Sequence, residues 1–391
     1  MVRMTLGATA ALAFLPALGF SAPKEKPAPT SQRVFQHPGI TNSQKDLEEL
    51  SQRISTDPFV KAGWEQLLKS KVSKLSYQPN PHAITVVRGS GATDQERDIH
   101  RDAIASYSHA LQWVATGNKA HSDKAIEILN AWSAVLKDVV SEEGSPGVQD
   151  KLEVAWYGPL FLSAAEIIRH FDDGQAGWPE KDIEQFDRML LIFKEKSLAW
   201  NGSGSCPNQG ISVALHRMSL GVYTNDPQLY QSGYQLFVDK ILKTKNKVTN
   251  TILPSGEIWE INRKKGGDFG HASYNIEGVL NIAELAWIQG DDIYGIKIDG
   301  EKLPRILKGT EYMAKLVIDG PVPSTKEGML SKPQLKLVGM ELGYNHYTNR
   351  CKGYQLPYTK RFLKEKRPSN SGSGKFFHWD TLTHANLSNS K

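Results

Sequence analysis

Ten segments between residues 44 and 318 carry apolar side chains at helical spacing, separated by short polar or Gly/Pro-rich breaks. The stretch 94–116 shows this best, with Ile99, Ala103, Ile104, Tyr107, Ala110, Leu111 and Val114 on one stripe. The spacing predicts further helices over 44–54, 57–75, 119–136, 152–170, 179–200, 211–223, 227–242, 273–289 and 303–318. Residues 77–91 read as a loop. Short strands are conceivable only at 251–262, and the tail ends in an aromatic and β-branched stretch at 376–382. Helices this numerous and this closely joined must bury their stripes against one another, so the class is all-α. No repeat of fixed period is visible, which disfavours a short-motif solenoid and leaves a toroid of helical hairpins with a short irregular or β tail.

Residues 1–21 read as a secretory signal, with Arg3 before a run of apolar and small residues. Residues 22–33 form a Pro/Lys linker, and 34–391 are expected to be one domain. The 47 basic and 42 acidic residues leave a net charge of +5. That mild excess permits a polyanionic ligand, but no charge block suggests a nucleic-acid arm. No segment after the N-terminus approaches a membrane span. Two cysteines and the sequons at Asn201 and Asn386 are compatible with secretion.

The run Cys206-Pro207-Asn208-Gln209-Gly210 stands at the entrance of the apolar segment 211–223, after a Gly/Ser-rich break. A loop entering a buried helix commonly carries site residues. The plainer reading makes Asn208 a helix N-cap.

Three stretches together resemble the alginate-lyase superfamily of polysaccharide lyases. They are 98–133 (DIHRDAIASYSHALQWVATGNKAHSDKAIEILNAWS), the Asn208 segment, and 260–295 (EINRKKGGDFGHASYNIEGVLNIAELAWIQGDDIYG). The tail, with Tyr344-Asn-His-Tyr-Thr-Asn-Arg350 and Arg367-Pro368, is similar to a branch related to glucuronan and alginate lyases. The resemblance implies an incomplete (α/α) toroid acting on a uronic-acid polymer by β-elimination. It also shows a departure. The best-known members have His after the active-site Asn and a Tyr in the later segment; here Gln209 follows Asn208, and His271 holds the position of that Tyr.

Elimination beside a uronate needs a donor for the carboxylate, a base for the C5 proton and an acid for O4. On the resemblance, Asn208 is the neutraliser, assisted by Gln209, and His271 the base. Arg263 is a carboxylate clamp, or else an exposed ion pair with Glu260. Tyr344 or Tyr347 is the acid, close in sequence to His346 and Arg350; aromatic packing is the alternative for each. Trp156 or Tyr157 could reach the groove, Arg101 could meet a sugar carboxylate, and His100 is read as a solvated helix face. Cys206 and Cys351 flank two of these segments and are expected to form a disulfide.

No metal-ligand spacing or phosphate loop is present, so neither a metal nor a cofactor is expected. The expected partner is an acidic polysaccharide, bound by a secreted monomer. Two other functions remain open. A glycoside hydrolase would need paired carboxylates, for which Asp102, Glu153, Glu260 and Asp268 are candidates without a convincing pairing. A non-catalytic glycan binder would keep the groove without base or acid.

Overall fold

Local capping delimits the helices. Ser43 and Asp46 form a reciprocal capping box at the start of α1 (Gln44–Thr56). Asp57 accepts from the backbone of Phe59 and Val60 to open α2 (Pro58–Lys69), where Pro58 sits in the first turn and lacks only an N–H that has no helical partner there. Thr93 caps α3 (Asp94–Thr116), and Gly117, at φ +66°, ends it in the left-handed conformation that glycine adopts without strain. There follow α4 (Lys119–Val135), α5 (Gln149–His170), α6 (Glu180–Leu198), α7 (Pro207–Tyr223), α8 (Pro227–Phe237), α9 (Phe269–Ile288), α10 (Arg305–Ile318), α11 (Met340–Asn345), α12 (Pro357–Lys366) and α13 (Asp380–His384). The computed structural model describes residues 33–88, 91–203, 206–244, 251–326, 328–333, 335–351, 353–369, 375–376 and 378–387. The expected signal (1–21) lies outside these residues, as does the linker apart from Arg33.

Within 34–391, one compact unit, the odd-numbered helices make the inner wall: α1 packs on α3, α3 on α5, α5 on α7, α7 on α9 and α9 on α11. The helices α2, α4, α6 and α8 pair with them on the outside, and α10 pairs with α12. Burial agrees with this division. In α7 every residue except Gln209 is buried, and α9 is buried almost all round from Ala272 to Ile288. Helices apolar on all sides belong inside. The last helix, α13, touches α11, α1 and α2 and so bridges the two ends of the row.

Three expectations are corrected. The aromatic and β-branched stretch 376–382 runs into a helix, α13, where Trp379, Leu382 and Ala385 are buried by closing the ring. The stretch 77–91 holds a strand, β1 (Ile84–Val87), paired in parallel with β2 (Asp138–Ser141). The stretch 251–262 has one isolated bridge, Ile252 with Ile258, and then a 3-10 turn at Trp259–Arg263. A small hairpin, β3 (Val322–Ser324) with β4 (Gly328–Leu330), lies further on. No described helix is long and apolar enough to cross a membrane.

Side-chain contacts show that the inner helices run parallel. His100 of α3 meets Glu153 of α5, Trp156 of α5 meets Ser212 of α7, and Asn208 of α7 meets Asn275 of α9 through Glu260. One mouth of the ring therefore gathers the N-terminal ends of α3, α5, α7 and α9.

Candidate active site

Asn208 lies in the first turn of α7, not at its N-cap, which is Cys206. The helix starts four residues before the apolar run because its first turn faces the mouth and carries polar residues. Its unpaired first-turn N–H finds a partner outside the helix: Asn208 donates its backbone N–H to Glu260 Oε2 at 3.0 Å and its amide to Glu260 Oε1 at 2.5 Å. Asn275 of α9 donates to the same carboxylate at 3.1 Å. Glu260 is fully buried, and burial, only partly offset by these amides, raises its pKa to about 7. It fixes the Asn208 amide, leaving one amide N–H for another acceptor. The preceding loop lies flat on α7: Gly202 has φ +84°, and a Cβ there would collide with Gly210 N. Ser203 N donates to Gln209 Oε1 at 3.2 Å, so Gln209 holds this loop.

His271 sits in the first turn of α9, opened by Asp268. Asp268 does not cap the helix backbone with its side chain. Instead its Oδ1 lies 2.9 Å from His271 Nδ1. Burial works against the Asp268 charge, but His271 and Lys264 outweigh it and hold the carboxyl below its ordinary value. With Nδ1–H given to Asp268, the free lone pair of His271 is on Nε2, and the side chain is 35 % exposed. Arg263 lies 3.5 Å from Glu260 Oε1 and 3.8 Å from Asp268 Oδ2, long contacts for a fork that is itself part-exposed.

The sequence reading missed two residues here. Tyr274 follows His271 by three positions, on the same face of α9, with ring centroids 5.7 Å apart. Burial, with Glu277, Glu153 and Asp268 nearby, raises its pKa, so the phenol keeps its proton at neutral pH. The spacing would have revealed it had the helix been started at 269 rather than 273. Lys375, from the tail, stands 4.2 Å from the Trp156 ring centre and 3.4 Å from Glu153 Oε2. That contact spans 222 positions, and no local pattern announces it. Glu153 also lies 2.9 Å from His100 Nε2, which brings His100 into the mouth and not onto a solvated face.

Trp156 belongs to the floor of the mouth: it is 7 % exposed, donates to Ser212 and meets the Tyr274 ring at 6.1 Å. Tyr157 is core, packed on Phe161 and Phe193. Arg101 is exposed beside Asp98, at 3.8 Å.

The tail residues are not brought to this mouth. Tyr347 is fully buried and donates to the carbonyl of Tyr294 at 2.8 Å. His346 stacks on Tyr294 at 4.0 Å and meets Trp287 edge-on. Arg350 forks onto Glu284 at 2.7 and 2.8 Å. Tyr344 lies by Glu341 and Arg367. All but Tyr344 gather at the C-terminal end of α9. Asn275 and Trp287 are twelve positions apart on that helix, about 18 Å at its ordinary rise. Tyr347 is therefore absent from this mouth as an acid, and Tyr344 is placed beside Glu341 and Arg367. The same separation removes the expected disulfide: Cys206 opens α7 beside Asn208, Cys351 lies 3.3 Å from His346 Nε2, and the two are not bonded to each other.

Paired carboxylates for hydrolysis are also missing among the described residues. Asp102 is taken up by Tyr77, Asn80 and Trp132. Glu153, Glu260 and Asp268 are buried and engaged as described above. None is disposed to activate water across a sugar.

The mouth of this ring of helical hairpins brings together an imidazole, a phenol, an amide and a guanidinium without a hydrolytic carboxylate pair, an arrangement that fits the polysaccharide lyase class. The alginate lyase family profile matches residues 61–322, well over half of the chain, and the chain belongs to this family. Its fold is similar to that of alginate lyase A1-III from Sphingomonas species A1, at 17% identity and a TM-score of 0.66, over 92% of this chain and 99% of that one. It is also similar to an alginate lyase from Bacteroides ovatus, at 12% identity and a TM-score of 0.52, over 72% and 84% of the two chains. A variant of A1-III complexed with tetrasaccharide aligns at 19% identity and a TM-score of 0.57, over 74% and 81%. Compared by sequence with curated proteins, the chain matches none.

Proposed function

We propose that this polysaccharide lyase is a secreted enzyme that cleaves a uronic-acid polymer, alginate of the polymannuronate type or glucuronan, by β-elimination. The observation that carries the reading is the His271–Asp268 pair standing beside Tyr274 on the first turns of α9, next to an Asn208 held by Glu260. Asn208 and Arg263 hold the uronate carboxylate and stabilise the enolate-like charge. His271 Nε2 takes the C5 proton. The electron pair of that bond forms the C4–C5 double bond as O4 departs, and Tyr274 gives O4 its proton. His271 ends protonated and Tyr274 deprotonated, and proton exchange between the neighbouring rings restores both. The N-terminal ends of four inner helices at this mouth favour an anionic chain.

Mannuronate and glucuronate share the arrangement at C4 and C5, so both stay within the proposal. The test is turnover of alginate, polymannuronate, polyguluronate, glucuronan and hyaluronan, followed by the ultraviolet absorbance of the new conjugated double bond. Absorbance rising on polymannuronate or glucuronan, and lost in His271→Ala, is the expected result. Cleavage without absorbance would refute elimination.

A further inference from the structure

The opposite mouth of the ring holds side chains for which the elimination has no use. The strap 33–42 crosses there: Gln289, just past α9, accepts from Gln36 N at 3.0 Å and donates to the carbonyls of Gln36 and Gly39. His37 on the strap meets Glu166 and His170, which lie one turn apart at the end of α5. Their potential ligand atoms all lie within 4.8 Å of one another. Glu166 is about ten positions, roughly 15 Å, along α5 from Trp156, so this cluster is separate from the catalytic mouth.

The hydrogen bonding around His37 leaves an unfilled requirement. Its Nε2 lies 3.1 Å from Asn225 Oδ1, an oxygen that can only accept, so Nε2 carries the hydrogen. Neutral His37 then turns the Nδ1 lone pair toward both oxygens of Glu166, each at 3.0 Å. Acceptor faces acceptor, and a positive centre must sit between them. A proton on Nδ1 would suffice for these two groups alone. His170 shows why it does not suffice for three. Its Nε2 is buried, has no hydrogen-bond partner and lies 3.9 Å from Glu166 Oε1. A neutral His170 offers the lone pair of this nitrogen toward Glu166. Separations of 3.0 and 3.9 Å bracket the spacing of nitrogen and oxygen ligands around a tetrahedral ion with bonds of about 2.0–2.2 Å. Asn225 does what the outer partner of a ligating imidazole does, fixing its tautomer. The C-terminal ends of α5 and α7 add favourable negative potential. Arg169, next to His170 in the chain, opposes it.

We propose that His37, Glu166 and His170 bind one divalent ion of the zinc class, with water as fourth ligand, and that the ion clips the N-terminal strap to the ring. His37 and Glu166 are 129 positions apart, so the clip closes a long loop and stabilises the folded chain without entering the chemistry.

The test uses the full chain without a polyhistidine tag, dialysed against chelator and then against zinc-free buffer. One equivalent of added zinc should be retained, and a zinc concentration about a hundredfold above its Kd should raise Tm by roughly 3–4 °C. His170→Ala should abolish both effects; its own metal-free Tm, lowered by loss of the ring stacked on His37 at 4.5 Å, is the baseline against which its response to zinc is read. Turnover at 25 °C should be the same with and without chelator. No zinc retention and no Tm shift in the wild type would overturn the proposal. So would a Tm shift that persists in His170→Ala. A Tm that responds to pH but not to zinc would mean that a proton alone bridges His37 and Glu166, and would overturn it as well.

Discussion

The two ends of α9 carry nearly the same residue types and do opposite things. At the N-terminal end, the carboxylate of Glu260 is buried against the neutral amides of Asn208 and Asn275, and burial raises its pKa to about 7. At the C-terminal end, Glu284 is just as buried. Burial works against its charge there too, but Arg350 and His384 outweigh it and push its pKa far below the ordinary value. His271 is 35 % exposed with one ring nitrogen tied to Asp268, whereas His346 is sealed between Tyr294 and Trp287. Tyr274 is half-buried at the mouth, whereas Tyr347 is buried with its hydroxyl given to a backbone carbonyl. Reactivity is thus distinguished by which groups remain unsatisfied and reachable, and not by residue type.

The largest effect expected from this contrast is on turnover. His271→Ala should lower kcat by about 10²–10⁴-fold, the usual worth of a positioned base, with KM little changed. Steady-state kinetics with the preferred polymer check it; turnover within tenfold of wild type would remove His271 from the chemistry. At the other end, Arg350→Ala leaves Glu284 charged and buried with its main partner gone. It should destabilise the fold by about 3–5 kcal/mol in denaturant titration, with activity per folded molecule unchanged. A selective loss of kcat there would mean that the two ends are not separate.

Tyr274→Phe comes next. Removing the hydroxyl should lower kcat by about 10²-fold, and a substrate with a good leaving group at C4, which needs less protonation, should recover part of the loss. Equal loss on both substrates would assign the tyrosine to positioning.

How much of this was legible in the sequence follows the same line. The helices were readable because their apolar stripes report burial directly, and the ten expected segments correspond to α1 through α10. Asn208 was singled out by its place at the entrance of an apolar segment, and His271 was named through the resemblance. The first turns of α7 and α9 were not readable: they face the mouth, and their polar residues and glycines hide the period. Tyr274 lies inside the expected helix 273–289, but its pairing with His271 was hidden because His271 falls in the unread first turn of α9. The tail misled in the opposite sense. Tyr344, His346, Tyr347 and Arg350 look like site chemistry in a row, but the ring closure that buries all but Tyr344 is a contact between distant parts of the chain. Lys375 and the His37–Glu166–His170 group depend on the same kind of long-range placement.

The paired carboxylates predict opposite pH responses. The raised pKa of Glu260 means that its contribution to stability is fully present below about pH 4.5 and is lost as pH rises toward about 7, with a slope of at most about 1.4 kcal/mol per pH unit. The depressed pKa of Glu284 has the reverse sign: its contribution is present above about pH 4.5 and is lost as pH falls below it. Denaturant titrations from pH 3 to 8 should show the alkaline-side slope flattened in Glu260→Gln. The acid-side slope should flatten in Glu284→Gln. Identical profiles in both variants would contradict the assignment.

The smallest effect tests the tail most directly. Tyr347→Phe removes one hydroxyl, whose hydrogen bond to the carbonyl of Tyr294 is 2.8 Å long and buried. The ring and its packing on His346 and Tyr354 remain. A neutral buried hydrogen bond contributes about 1 kcal/mol, so Tm should fall slightly and reproducibly. No proton of Tyr347 can reach a sugar bound beside His271, because most of the length of α9 separates them. The kcat and its pH profile should therefore be those of the wild type. A kcat loss comparable to that of Tyr274→Phe would return the acid to the tail, and would require the buried C-terminal end of α9 to open to substrate during turnover.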